Sequence, residues 1–327
     1  MSLETLRGIL GPEIEDPEEE TFLLFSQNIP SQNLGFVDST AALLELTVAG
    51  RDLTIHQSPA VLSSNRPGGT TGAVVWKITP LFAGWLASPS NVLFRAGILA
   101  DSSAVLELGC GVSAIVGLTL AAHVSRYVLT DQPYVAKFVG QNIEENRDVL
   151  LLLHHHHAGS GPARHGKASA KSRSAARGSR HPAGGDHSHA ATGPRAAPPP
   201  ADRLRFAPLD WEKDEVTAAS ALALTGSADT RSFDAVVACD CIYNEALIEP
   251  FVRTCVDVCR LRGRRGEDDD DDDEARPCVC IVAQQLRDPD IFEAWARRFC
   301  QSFHALRVPD DQLPEGLRSA AGYRDLD

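Results

Sequence analysis

Residues 104–131 read AVLELGCGVSAIVGLTLAAHVSRYVLTD, and their pattern decides the architecture. A short apolar run, 104–109, meets the turn Gly109-Cys110-Gly111. A helix of small residues is expected over 112–122, and a second apolar run, 126–131, ends on Asp131. Runs of this length without polar alternation read as strands buried on both faces. The rhythm returns in LRFAPLDW (204–211), FDAVVACD (233–240) and PCVCIVAQQ (277–285), which predict three more strands. Helices are expected over 133–150 and 290–302. Strands separated by helices imply a parallel sheet covered on both faces, and right-handed crossovers make it an α/β, doubly wound, Rossmann-like layer.

Upstream, LLELTVAGRDLTIHQ (43–57) alternates apolar and polar residues around Ala49-Gly50-Arg51-Asp52, which predicts a β-hairpin. Glycines 68, 69 and 72 precede an apolar helix expected over 73–86, where Pro80 would kink it or end its first turn. Residues 1–70 thus form an extension carrying the hairpin, and 71–327 the main domain. Two insertions interrupt the alternation. Residues 153–203 are rich in His, Pro and Ser; between 158 and 200 they carry seven Lys or Arg against one acid. Without an apolar period the segment cannot offset its ordering entropy and reads as a disordered basic loop. Residues 261–276 hold an acidic loop. His154 to His157 read as low complexity, and no metal site is expected.

The net charge is −13, of which the run Glu267 to Glu274 supplies eight, leaving −5 for the remainder. That balance lacks the basic footprint of a nucleic-acid binder. No stretch reaches the roughly 18–20 apolar residues of a membrane span. The start, MSLETLRGIL, does not read as a signal peptide. Cys239, Cys241, Cys278 and Cys280 lie in apolar runs, so the eight cysteines read as reduced. A cytoplasmic, and also nuclear, monomer is expected.

The residues that carry chemistry cluster at strand ends. Gly109 and Gly111 allow a sharp turn and close approach of a ligand to the backbone. With Ala114 they satisfy a dinucleotide pattern, and Asp131 follows Gly109 by 22 residues, so a nicotinamide cofactor fits these positions too. Glu107 weighs against pyrophosphate, which would meet like charge, and suits the ammonium group of a methionine-derived sulfonium cofactor. Asp131 can accept hydrogen bonds from ribose hydroxyls or cap the helix after Pro133. Trp211 can flank an adenine ring. Asp240 and Tyr243 can flank a cationic acceptor, the carboxylate holding an amine and the ring walling it.

Together these motifs resemble the seven-strand lysine methyltransferases, most closely the fungal ribosomal lysine methyltransferase 5 group. The matching pieces are TGAVVWKITPLFAGWL (71–86), VLELGCGVSAIVGL (105–118), LTDQPYV (129–135), LDW (209–211) and ACDCIYNEALIEPFV (238–252). The resemblance implies S-adenosyl-L-methionine as cofactor and a protein lysine, in a large-subunit ribosomal protein, as acceptor. It implies cofactor contacts at Trp76, Gly109, Cys110, Gly111, Asp131, Trp211 and Cys239, and an acceptor-side D-x-x-Y pair at Asp240 and Tyr243. Ser113 stands where a third glycine is common, and Cys239 where relatives often have Ala. The end, SAAGYRDLD, stands where relatives continue into a final strand, so that strand is expected to be absent or altered. Two other readings remain: a nicotinamide-dependent oxidoreductase, and a non-catalytic adaptor that uses the charged loops as docking arms.

Overall fold

A computed structural model describes residues 3–27, 35–66, 69–150, 203–227, 230–263 and 277–319. The expected disordered insertions, 153–203 and 261–276, lie outside these residues except at Arg203 and at 261–263. In chain order the elements are α1 Leu3–Leu10, α2 Pro17–Phe25, β1 Leu43–Val48, β2 Arg51–His56, α3 Pro59–Leu62, α4 Ile78–Leu86, α5 Val92–Arg95, β3 Ala104–Leu108, α6 Ile115–Leu120, β4 Arg126–Asp131, α7 Ala136–Glu145, β5 Leu204–Pro208, α8 Ala218–Thr225, β6 Ala235–Cys239, α9 Ile248–Gly263, β7 Val279–Ala283 and α10 Pro289–Cys300.

Strands β3 to β7 form a five-stranded sheet in the order β5-β4-β3-β6-β7. Every pairing in it is parallel. The sequence builds the first three strands outward on one side of β3, then reverses to place β6 and β7 on the other. This is the doubly wound α/β fold that the buried runs predict. The pleat sorts the core into two layers. Val105, Tyr127, Leu129 and Val237 pack with Ile115, Leu118 and Val139. Leu106, Leu108, Val128 and Val236 pack with Phe251, Val252 and Cys255.

Some boundaries differ from expectation. The apolar stretch at 73–86 is a short 3-10 turn at Thr71–Ala73, an extended link, and then α4. Pro80 sits in the first turn of α4, where its missing N–H costs nothing. Strand β5 stops at Pro208, short of Trp211. Two helices carry no apolar period in the sequence reading. Helix α2 follows Asp16, whose side chain accepts from the N–H groups of Glu18 and Glu19 at 2.9 and 3.2 Å. Helix α8 starts in a reciprocal cap between Thr217 and Ser220 and ends at Gly226.

The hairpin pairs Leu43 with His56 and Val48 with Arg51. It packs into the same core as the sheet through Leu44, Val48, Leu53 and Ile55. Two buried asparagines, Asn142 of α7 and Asn146 at its C-cap, act as a substitute strand for the hairpin's edge. Asn142 Oδ1 accepts from His56 N–H at 2.7 Å and its Nδ2 donates to His56 O at 2.9 Å. Asn146 makes the same pair with Thr54 at 3.0 and 2.9 Å. Each satisfies one residue's donor and acceptor away from water, where orphaned groups are costly. Beyond α10 the described chain forms two 3-10 turns, Asp310–Gln312 and Glu315–Leu317, and no further strand through residue 319. Gln312 O accepts from Trp85 Nε1 of α4 at 3.1 Å.

Candidate active site

In an open parallel sheet, ligands bind where the strand order reverses, outside the carboxyl ends of the strands. Here that point lies between β3 and β6. A cavity opens there, lined from the ends of β3, β4, β5, β6 and β7 and from residues 69–79.

The β3 end is shaped by backbone that other residues would block. Gly109 has φ 71°. A Cβ on it would lie 2.6 Å from Cys241 Sγ and 3.2 Å from Trp211 Cη2, well inside contact distance. The N–H groups of Gly109 and Cys110 both donate to Thr130 O at 3.0 Å. Gly111, with φ 58°, faces Gly72; a Cβ there would meet Gly72 O at 3.0 Å. Gly72 O in turn accepts from Val112 N–H at 2.8 Å. The glycine turn is thus clamped between β4 and the segment before α4, and both glycines leave a bare backbone wall on the cavity.

Asp131 ends β4 beside this turn. Its Oδ2 accepts from Gly111 N–H at 2.9 Å and its Oδ1 from Gln132 N–H at 2.7 Å. Burial pushes its pKa up to about 6, against the pull of those two donors and of Arg66. Arg66 bonds Gln132 Oε1 at 3.2 Å and lies 4.0 Å over the ring of Tyr134.

Glu107 stands elsewhere. It is 2 % exposed, on the pleat face of β3 that carries the core against α6 and α7. Its Oε2 accepts from Tyr127 O–H at 2.7 Å. Burial raises its pKa to about 8, with the nearby charge of Asp131 adding to the rise. At neutral pH this carboxyl is protonated, and the surface of the cavity is made by other residues.

From β5 and β6 come an aromatic wall and a charged pair. Trp211 packs edge-on to Phe251 with centroids 5.4 Å apart. Its buried indole N–H has no hydrogen-bond partner among the described residues. Asp240 turns the chain off β6 with φ 58°, a left-handed conformation that Asp tolerates better than most residues. Its side chain, 3 % exposed, meets the Arg287 guanidinium in a fork, with bonds of 2.7 and 2.5 Å. Arg287 also lies 4.7 Å over the Trp76 ring. Tyr243 is 41 % exposed at the mouth, and burial of its ring edge raises its phenol above the ordinary value.

Of the residues singled out from sequence, Trp76, Gly109, Cys110, Gly111, Asp131, Trp211, Cys239, Asp240 and Tyr243 line this one cavity, while Glu107 is held behind it. The carboxylate of Asp240, expected to await an amine, is already satisfied by a cation. Sequence reading missed Gly72, Tyr134 and Arg287, which also line the cavity. Gly72 had a signal, since it falls in the quoted T-G-x-x-x-W segment; Arg287 sits in a polar loop with none. All eight cysteines are free thiols. Among the described residues no cluster of His, Cys, Asp and Glu is arranged to hold a metal ion, and no helix is long and apolar enough to cross a membrane.

Fold and site together define a doubly wound α/β methyltransferase. The family model for lysine methyltransferases matches residues 56–157, which run from the hairpin's end through the glycine turn and Asp131. Ribosomal lysine N-methyltransferase 5 of Zygosaccharomyces rouxii is 32 % identical over 259 residues, covering 76 % of this chain and 70 % of that protein. The protein of the same name from Saccharomyces cerevisiae strain YJM789 is 31 % identical over 241 residues, 62 % of this chain and 60 % of its own length. A Schizosaccharomyces pombe protein named diaminohydroxyphosphoribosylamino-pyrimidine deaminase is 31 % identical over 134 residues, only 32 % of its length, so its name says nothing of this chain. The chain belongs to the lysine methyltransferase family, which sets aside the nicotinamide-dependent oxidoreductase reading.

Proposed function

We propose that this chain transfers a methyl group from S-adenosyl-L-methionine to a lysine of a ribosomal protein, in the cytoplasm. The carrying observation is the cavity at the sheet's reversal point. Its features fit an adenosine-bearing ligand: a bare glycine wall, a buried carboxylate beside it, and an indole N–H with no partner among the described residues. Gly109 and Gly111 would let the ligand lie against the backbone. Asp131, ionised above pH 6, would accept from ribose hydroxyls. Trp211 would offer its unpaired donor and its ring face to the base. Bound there, S-adenosyl-L-methionine would supply a methyl group carried on a sulfonium.

The acceptor would enter past Tyr243, whose half-exposed ring stands at the mouth. A lysine amine must shed its proton before it can attack, and its ordinary pKa is about 10.4. A narrow, partly apolar passage disfavours the ammonium form. Holding the amine in line is then the main contribution of the protein to the rate. The names of the two yeast relatives support a ribosomal acceptor. Eight free thiols suit a reducing compartment.

The test is calorimetric titration of the folded chain with S-adenosyl-L-methionine, repeated on Asp131→Ala. Binding by the wild type that the variant loses supports the reading, and transfer of radiolabelled methyl to purified large-subunit ribosomal proteins completes it. A folded wild type that binds no cofactor points instead to a non-catalytic adaptor.

A further inference from the structure

We infer that Arg287 is a positioning residue that occupies the cation seat of Asp240, so that the acceptor lysine is received beside a neutralised carboxylate and as the free amine. The inference rests on reading the cavity as a methyl-transfer site.

Asp240 makes four hydrogen bonds as an acceptor. Oδ1 takes Arg287 Nη1 at 2.7 Å, Gln284 Nε2 at 3.0 Å and the Gln285 N–H at 3.2 Å. Oδ2 takes Arg287 Nη2 at 2.5 Å. Oδ1 is thereby filled; Oδ2 keeps a lone pair, but the side chain is 3 % exposed and its charge is matched by the guanidinium, so an incoming ammonium finds no unpaired carboxylate charge. Arg287 is itself held on further sides: Nη2 donates to Gln285 Oε1 at 2.6 Å, and the guanidinium lies over Trp76. A planar fork matched to a carboxylate and stacked on an indole outcompetes the single point charge of a lysine ammonium.

The consequence for the acceptor follows from sign. A bare Asp240 would stabilise the ammonium form and work against attack. A paired Asp240, with a guanidinium at the cavity wall, leaves no net negative charge there and disfavours a second cation. Five other ionisable groups on this wall carry no charge that would restore it. Cys239, Cys241 and Tyr243 from the β6 end, with Cys110 and Tyr134 from the β3 and β4 ends, are all pushed up by burial and stay uncharged near neutrality. Asp131 at the β4 end is ionised at pH 7.5 and keeps its charge there, bonded to two backbone donors and offset in part by Arg66. At the β5 end Asp210 is paired with Lys213 at 2.6 Å, and Glu212 also lines the cavity.

The experiment has two arms on the full chain, with folding checked by thermal melting. In the first, without nucleotide, n-butylammonium is titrated at pH 7.5 and tryptophan fluorescence is read. Arg287→Met should bind it at least about tenfold more tightly than the wild type, and adding Asp240→Asn should abolish the gain. Arg287→Gln serves if the Met variant does not fold. Equal binding by wild type and variant overturns the inference. In the second arm, pH–rate profiles are measured with S-adenosyl-L-methionine and mixed large-subunit ribosomal proteins. Arg287→Met should lose about tenfold in kcat at pH 7.5 and regain it about one pH unit higher, while Arg287→Lys follows the wild type. A loss uniform in pH marks a merely structural role and also overturns it. A wild type that methylates nothing counts against the methyl-transfer reading, and the first arm still decides the seat of Arg287.

Discussion

Glu107→Gln should stabilise this protein at pH 8 and change little at pH 5. The carboxyl is 2 % exposed and accepts from Tyr127 O–H at 2.7 Å, a bond that a Gln carbonyl can accept equally. Burial raises its pKa from 4.5 to about 8. Because the folded value is raised, its contribution to stability is fully present below about pH 4.5 and is lost as pH rises through about 8. Between pH 5 and pH 8 the wild type should lose about 3–4 kcal/mol through this one group, a loss that Gln, which does not titrate, escapes. In a domain of this size each kcal/mol moves Tm by about 2–4 °C, so the gap between variant and wild type should widen by roughly 10 °C from pH 5 to pH 8. Asp131 titrates in the lower part of the same window, from 3.8 to about 6, but does so in both proteins and cancels in the difference. Circular-dichroism melts of both proteins at the two pH values decide the matter. A constant Tm gap would refute the burial reasoning. Loss of cofactor binding at pH 7 with unchanged melting would return Glu107 to the ammonium contact expected from sequence.

Three further outcomes follow from the same geometry. Affinity for S-adenosylhomocysteine should fall about tenfold from pH 7.5 to pH 5, as Asp131 is protonated through about 6, and Asp131→Asn should bind weakly with a flat profile; calorimetry across pH reads both. Gly109→Ala should cost about 1–3 kcal/mol of stability and most of the nucleotide affinity, since its Cβ would sit 2.6 Å from Cys241 Sγ at φ 71°; a melt and a titration test this, and a variant that binds normally contradicts it. Trp211→Phe keeps a ring against Phe251 but removes the unpaired N–H, so nucleotide affinity should drop by about 0.5–1.5 kcal/mol with no loss in Tm.

The inner strands β3, β4 and β6 were legible because they are buried on both faces and spell nearly uninterrupted apolar runs, while the edge strands β5 and β7, only partly buried, were read from shorter apolar stretches. The glycine turn was legible because φ values of 71° and 58° admit few residues other than Gly. Helices α2 and α8 were not read, although both carry local signals. Asp16-Pro17-Glu18-Glu19 is a capped helix start with acids in its first turn, yet in the sequence it looks like plain acidity. The docking of the hairpin was illegible for another reason. Asn142 and Asn146 look like solvent-facing polar residues on a helix, and only the fold supplies the strand edge that satisfies them. Glu107 was read as facing a ligand because it precedes the glycines. The pleat instead points it to the face of Tyr127 and Leu129, and periodicity alone could have shown that odd-numbered positions of β3 belong to one core layer.

Asp240 and Tyr243 mark where sequence reading of the site stops. Their spacing places both on the cavity wall, and the sequence reading assigned them one shared task. The structure separates them through a residue 47 positions away from Asp240. Arg287 takes up the carboxylate and leaves the phenol ring at the mouth. A motif fixes where a charge is placed; the partner that neutralises it is chosen by topology, here by β7 lying next to β6 with Cys239 opposite Ala283. An acid on the strand next to its cation's carries no trace of that cation in its own neighbourhood of sequence. The same acid therefore looks like an amine ligand in the sequence and like the anchor of a guanidinium in the fold, and the butylammonium titration separates those two roles.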